Sequence, residues 1–345
     1  MTRRRAATLA QVAALAVVAP GTASKALTGR GKLRPETRQR VRAAAEELGF
    51  QPNVLARSLI EGRSYTIGII TSDSYGRFTI PVMLGAEDAL AQGRMSVLTC
   101  DGRGDPIREQ HHLQTLLGRR VDGIIVTGRR REPRPPIGQD VPVPVAYVGA
   151  PSEDPSDFSV TPDEEQGASI AIRHLLTTGR TSIAHITGPQ RHMAAQLRES
   201  GARRVLEEAG LSFAGDQALW GEWSEAWGRD ATHIVMRTNP DIDAVFCGSD
   251  QIARGVVEAL REAGRSVPRD VAIVGFDNWD VMALASRPPL TTVDRNLAEL
   301  GHMTANTLLE AADGRPTRGF HQIPCRLVIR ESTALQPISA LDGIV

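Results

Sequence analysis

Cysteine is scarce: Cys100, Cys247 and Cys325 are an odd number at wide spacing, with no disulfide framework and no paired zinc spacing among them. That favours a reducing cytosol and gives no reason to expect a metal. No apolar run approaches the roughly 20 residues that a membrane span requires. Gly102 and Gly104 lack the third glycine of a dinucleotide fingerprint. His111 and His112 are adjacent, so on a helix they point apart and share a metal poorly. There is no Gly-x-Ser-x-Gly, no phosphate loop, and no nucleophile with an assignable base. Catalysis and a cofactor are therefore not expected. Net charge is also missing, at +0 for the whole chain.

That last absence is an average of opposites. Residues 1–63 carry 12 Arg and Lys against 4 Glu, while residues 64–345 carry 28 basic against 36 acidic. A basic head on an acidic body suits a protein that sets one end against a polyanion and keeps the other off it. Phe50 to Leu59 joins the two, and Pro52 with Asn53 can open a short helix there, running through Ala56 to about Leu59. So few residues do not hold a helix alone in water, because nucleation is not recovered below roughly 12 to 15 residues. The joint should be helical only when something packs on it.

In the head, Leu9, Val12, Ala13 and Ala16 form one face of a short helix, with Thr8 placed to cap it. Pro20 suits a first helical position, and Ala23, Ala26 and Leu27 give a second helix its buried side. Pro35-Glu36 starts a third, with Val41, Ala44, Ala45 and Leu48 repeating the spacing and Gly49 ending it. Three short helices with a tight turn between the first two are the plan of a helix-turn-helix unit. A second reading stays open. Arg3 to Arg5, an alanine- and valine-rich run to Val18, and Pro20-Gly21-Thr22-Ala23-Ser24 also fit a secretory signal, which would make an exported solute-binding protein without residues 1–23. Against it, Gln11 interrupts the run, and the basic helical character continues to residue 63.

The residue series is more specific than the plan. Ala7-Thr8-Leu9-x-x-Val12-Ala13, Pro20-x-Thr22-x-Ser24-Lys25-x-Leu27, Thr37-Arg38-x-Arg40-Val41 through Glu46-Glu47-Leu48-Gly49-Phe50-x-Pro52-Asn53, and Ala56-Arg57-Ser58-Leu59 resemble the head of the LacI/GalR family of bacterial transcription regulators. By that resemblance the recognition helix presents Pro20, Gly21, Thr22, Ser24 and Lys25 to the major groove, Lys25 reaching guanine acceptors with Ser24 as helper. Thr8, Leu9, Lys32, Thr37, Asn53 and Arg57 join the DNA-binding set, largely as contacts that fix register, and Ala56 and Leu59 enter the minor groove. The chain departs from the family where Val17 replaces a turn glycine and where Ala19 and Arg34 replace capping serines. A β-branched residue needing positive φ and two lost caps should loosen the head.

From Tyr65 short β-rich runs alternate with helical stretches: strands at 66–70, 96–100, 123–127 and 145–148, then 182–186, 244–247 and 271–274. This spacing means parallel sheets covered by helices on both faces. A break near Ser159 to Asp163 suggests two lobes. Further matches, among them Arg173-His174-Leu175, Ser249-Asp250-Gln251 and Val274-Gly275-Phe276-Asp277-Asn278, extend the resemblance and imply a periplasmic-binding-protein-like core of two doubly wound parallel-sheet lobes behind an all-α head. The expected divisions are a head over 1–50, a hinge over 51–63, one lobe over 64–160 with 293–322, the other over 161–292 with 323–335, and a tail over 336–345.

Ligands in open α/β sheets lie beyond the carboxyl ends of the strands. Asp73 and Phe78 follow the first strand, and Ser249 and Asp277 also stand past strands. By the family resemblance, Arg198 matches an arginine three residues before a glycine, here Gly201, and would fork onto hydroxyls or a carboxylate, and Trp223 offers a flat face of the kind that fits sugar C–H groups. These six are the candidate effector residues. Gly76-Arg77-Phe78-Thr79 stands where the family often has Asn-Pro-Phe-Phe, and Gly149 where some sugar repressors place an acid. Arg129-Arg130-Arg131, in a proline-rich loop, reads as a solvated run. The expectation is a cytoplasmic homodimeric repressor on a pseudo-palindromic operator, controlled by a small ligand, a sugar by the family's commonest choice, with no membrane partner.

Overall fold

The computed structural model describes residues 7–28, 31–50, 63–74, 76–91 and 96–334. Two units divide between Ser64 and Tyr65. In the first, α1 (Leu9–Leu15), α2 (Pro20–Thr28) and α3 (Pro35–Glu47) close around Val12, Ala13, Ala16, Ala23, Ala26, Val41, Ala44 and Ala45. All eight are alanine or valine, six of them alanine, with little area to bury, so caps and turns carry weight here. Thr8 forms a full capping box with Gln11, and Arg40 Nε donates to the Ala16 carbonyl at 2.9 Å, finishing α1. Val17 turns the chain at φ 53° with its side chain 82 % exposed, the strained arrangement expected of a β-branched residue in a glycine's place. Arg34 makes no side-chain cap for α3. Leu48, expected in the core, is instead the C-cap residue and 37 % exposed. The joint helix expected over Pro52 to Leu59 lies outside the described residues.

The second unit holds two six-stranded sheets. The first comprises β1 (Thr66–Thr71), β2 (Ser96–Asp101), β3 (Gly123–Thr127), β4 (Val145–Val148), β5 (Phe158–Pro162) and β11 (Gly319–Ile323), in the order β11-β5-β4-β3-β1-β2, all parallel. The second comprises β6 (Ile183–Thr187), β7 (Leu219–Trp220), β8 (Ala244–Cys247), β9 (Ala272–Asp277), β10 (Thr291–Asp294) and β12 (Arg326–Val328). Its order is β12-β10-β9-β8-β6-β7, and only the edge pair β10/β12 is antiparallel. Central strands such as Gly123–Thr127 are buried throughout, as a sheet covered on both faces requires.

Helices α4 (Thr79–Ala91), α5 (Pro106–Gly118) and α11 (Leu297–Ala312) flank the first sheet; α6 (Glu164–Thr177), α7 (Met193–Glu208), α8 (Glu225–Thr238), α9 (Asp250–Glu262) and the short α10 (Asp280–Ala283) accompany the second. Helix pairs meet backbone to backbone: a Cβ on Gly85 would strike the Ala298 carbonyl, and one on Gly301 the Val82 carbonyl. The chain passes between sheets three times, between Pro162 and Glu164, between Asp294 and Leu297, and between Ile323 and Arg326. The expected break at 159–163 is thus partly strand, and the division at 292/293 falls inside β10. The two-lobed parallel-sheet core and helical head are the fold class expected.

Candidate functional site

The head offers a polar face on α2. Pro20, Gly21 and Lys25 are exposed, and Thr22 and Ser24 are half-buried over Ala23 and Ala26. Thr8 and Lys32 are exposed and Thr37 half-buried, while Leu9 packs partly against the core and supports the helix. Asn53, Ala56, Arg57 and Leu59 lie outside the described residues. No acid stands in the first turn of α2, and Lys25 lies in its last turn. The face therefore presents one positive side chain among small neighbours, with no acid in the first turn of the helix.

Between the lobes the six expected residues do different work. The Asp73 carboxylate accepts from the backbone N–H groups of Phe78 and Thr79 at 2.7 and 3.1 Å, holding the amino end of α4. Ser249 likewise caps α9 through Ile252 N. The other four converge. Arg198, 3 % exposed, donates from Nε to Glu164 Oε2 at 2.7 Å and from Nη1 to the Gly248 carbonyl, lies 3.8 Å over the Phe276 ring, and sits 3.8 Å from Asp277 Oδ1. Trp223 is 5.6 Å from the Arg198 guanidinium and donates from Nε1 to His192 Nδ1 at 2.8 Å. Burial, with the nearby Arg130 charge, lowers the His192 pKa, in keeping with a neutral acceptor ring. A Cβ on Gly188 would collide with the Trp223 ring, so only glycine lets that ring lie there.

Asp277 takes an ion pair from Arg77, across the lobes. It and Asn278 hold φ at 111° and 51°, consecutive non-glycine residues in the left-handed region, which costs about 1 to 3 kcal/mol each and needs surrounding contacts to hold it. Asn278 supplies some, accepting from Arg330 Nη2 at 2.8 Å. Phe78 lies beneath two guanidiniums, Arg77 at 5.0 Å and Arg295 at 4.9 Å.

Sequence reasoning missed the centre of this cluster. Glu164, fully buried, bridges Arg198 and, at 3.0 Å from Oε1, Arg295. Burial alone would raise its carboxyl pKa, but the two guanidiniums outweigh burial and hold it below the ordinary 4.5. Arg131, read as part of a solvated run, is 7 % exposed, and burial lowers its pKa; only Arg129 and Arg130 face outward. Trp279 lies under Arg77 at 4.8 Å. Arg131, Arg295 and Trp279 all follow strands at their carboxyl ends, so the rule that found Asp277 would have found them if applied to every strand. Next to Asp277, Asp250 accepts from Trp279 N at 2.7 Å and from the Thr292 hydroxyl; burial and the Asp277 charge push it up to about 7.

A helix-turn-helix head joined to two α/β lobes with a lined cleft defines a regulator that couples DNA binding to a small-molecule site. Comparison with known proteins makes this specific. Residues 8–53 match the bacterial regulatory proteins of the lacI family, and residues 172–333 match a periplasmic binding protein-like domain. The chain is 33 % identical over 341 residues to the HTH-type transcriptional regulator CelR of Thermobifida fusca, covering 96 % of this chain and 100 % of that one. It is 32 % identical over 306 residues to the ribose operon repressor of Escherichia coli, covering 88 % and 92 %. The lac repressor dimer bound to operator and an anti-inducer superposes with a TM-score of 0.74 at 26 % identity, covering 95 % of this chain and 99 % of that one. A CelR–cellobiose complex gives 0.65 at 31 %, covering 94 % and 99 %. The chain belongs to the LacI family of DNA-binding transcription regulators.

These relatives are regulators, not enzymes. The exported reading falls, because residues 8–28 form two helices of the matched DNA-binding head and build its core with α3. Among the described residues no single helix is long and apolar enough to cross a membrane.

Proposed function

We propose that this regulator acts in the cytoplasm as a homodimeric repressor on a pseudo-palindromic operator, and that a sugar held between its lobes sets operator affinity. The observation that carries the reading is the joint presence, over 94 % of this chain, of the head and the two-lobed core of a CelR structure solved with cellobiose. Two heads on a dimer double the contacts and match operator symmetry, as in the lac repressor dimer on its operator. Thr8, Leu9, Pro20, Gly21, Thr22, Ser24, Lys25, Lys32 and Thr37, with Asn53, Ala56, Arg57 and Leu59 from the joint, are the proposed DNA set. Phe78, Arg198, Trp223 and Asp277 line the proposed effector seat, with Asp73 and Ser249 supporting its walls. Closure of the lobes on ligand need supply only about 1 to 3 kcal/mol of coupling to reset a marginal joint.

Selection from random duplexes followed by gel shift tests the reading. Purified chain should select a two-fold symmetric site with salt-sensitive affinity, and Lys25→Gln should weaken that site by about 1 to 3 kcal/mol. Trp223→Ala should abolish the ligand response while leaving ligand-free operator affinity unchanged. Failure to enrich any sequence would overturn the regulator reading; a Trp223→Ala protein that still responds would overturn the seat.

A further inference from the structure

We propose that His192 is a positioning residue of the effector seat: its neutral imidazole holds the Trp223 ring in place for the face of a sugar, and protonation of His192 lets that ring go. This rests on the effector reading above and deepens it. Trp223 has a single polar side-chain atom, the Nε1–H, which can only donate. It donates to His192 Nδ1 at 2.8 Å, with the two ring planes 14° apart and their centroids 6.2 Å apart. The acceptor in such a bond must be a bare nitrogen lone pair, so the bond fixes His192 as the neutral tautomer with its hydrogen on Nε2. Protonation adds a hydrogen at Nδ1, and two N–H groups then oppose each other.

The residue types on both sides of the bond point the same way. His192 is the N-cap of α7, a position that favours Ser, Thr, Asp or Asn because their side chains accept from the first free N–H groups of the helix. His192 makes no such cap. Its side chain is turned to Trp223 instead, and the N–H of Met193 is taken from the other lobe, by Glu132 Oε1 at 2.9 Å. His192 Nε2 is buried with no partner, so the Trp223 bond is the imidazole's one hydrogen bond among the described residues. Trp223 in turn stands in the loop between β7 and α8, where no ladder or helix fixes its side chain. Gly188 lies against one part of the ring and the Arg198 guanidinium is 5.6 Å away, so the His192 bond is what sets the indole's rotation on that platform.

The charged groups around the imidazole are mixed. Burial is the first cause that lowers its pKa below 6.5; Arg130 and Arg191 add to it, while Glu132 and Glu222 oppose it. The ring is therefore neutral at pH 7, and the hold on Trp223 is lost as pH falls through a value below 6.5.

Titration of the full chain from pH 7.5 to 5 tests this with two readouts, the indole N–H NMR signal of Trp223, assigned by its absence in Trp223→Phe, and calorimetric binding of glucose, ribose and cellobiose. The signal should move as pH drops below 6.5 and stay fixed in His192→Asn, whose side-chain oxygen accepts at every pH. A sugar that binds should lose about 5- to 10-fold in affinity over that range, the scale of one donor left unpaired, beyond any loss that His192→Asn shows. The loss common to both proteins belongs to other groups, among them Asp250, which burial pushes up to about 7. His192→Leu, with no acceptor, should bind about 5- to 10-fold more weakly at pH 7.5; circular dichroism checks that each variant folds. A Trp223 signal that ignores pH, or one pH profile of affinity shared by wild type and His192→Asn, would overturn the positioning role and leave the sugar-controlled repressor standing. No binding by any of the three sugars would overturn the sugar reading and the seat with it, whatever the Trp223 signal does.

Discussion

Glu164→Gln removes one charge while keeping the shape of the side chain, and so tests whether the buried cluster is balanced as described. In the native chain both carboxylate oxygens are taken, by Arg198 Nε at 2.7 Å and Arg295 Nη2 at 3.0 Å, and the partners' side chains are 4 % and 9 % exposed. Removing the charge leaves two buried guanidiniums answered by Asp277 alone, and breaking a buried pair in this way costs about 3 to 5 kcal/mol. All four tryptophans, Trp220, Trp223, Trp227 and Trp279, lie in the segment that builds the second sheet, so urea unfolding followed by tryptophan fluorescence reports on the right lobe. The loss should depend on pH with a definite sign. Because the folded Glu164 pKa lies below the ordinary 4.5, its contribution is complete above that value and disappears as pH falls through the lower folded one. Wild type and variant should therefore differ at pH 7 and converge in acid. A difference under about 1 kcal/mol at pH 7, or one that stays constant into acid, would refute the reasoning.

Two further outcomes are expected. Val17→Gly should relieve a β-branched residue held at φ 53° and raise head stability by about 1 kcal/mol, read as slower hydrogen exchange of α1 to α3 amides in the full chain; unchanged exchange would mean the turn is unstrained. His185, sealed between the Phe213 and Phe246 rings and bonded through Nδ1 to the Phe246 carbonyl, has its pKa brought down by burial from 6.5 to about 4. Since the folded value is the lower one, stability is gained as pH rises from about 4 to 6.5. At 1.36 kcal/mol per unit that gain is about 3 kcal/mol, and an imidazole NMR signal titrating near 6.5 in the folded chain would contradict it.

The head was legible because its information is local. Spacing alone placed Val12, Ala13, Ala23, Ala26, Val41 and Ala44 on buried helix faces, and Val17 could be suspected of positive φ because the family resemblance places it where a turn glycine usually stands. The body was half legible. Isoleucine- and valine-rich strands such as β1 and β3 declared themselves, but β5 reads Phe-Ser-Val-Thr-Pro and is buried through its whole length by elements far away in sequence. β11 is an edge strand with alternating exposure, and β12 has three residues; neither carries enough apolar signal to be seen alone. The cleft suffered most. Three consecutive arginines, 129 to 131, look alike in composition, and only the folded loop decides that the third turns inward. Glu164 gave no hint at all, since a buried carboxylate makes sense only once Arg198 and Arg295, 34 and 131 residues away, are beside it.

The seam where the lobes join carries charge at its axle. Glu164 stands just past the first passage between sheets and Arg295 within the second, so their contact ties two passages together. The third is tied to the first by Gln166 exchanging hydrogen bonds with the Cys325 backbone, and by the Cys325 thiol donating to the Asp163 carbonyl at 3.3 Å. A swing of one lobe must twist all three strands at once, so whatever settles beside these ions bears on the pivot itself rather than on a distant jaw.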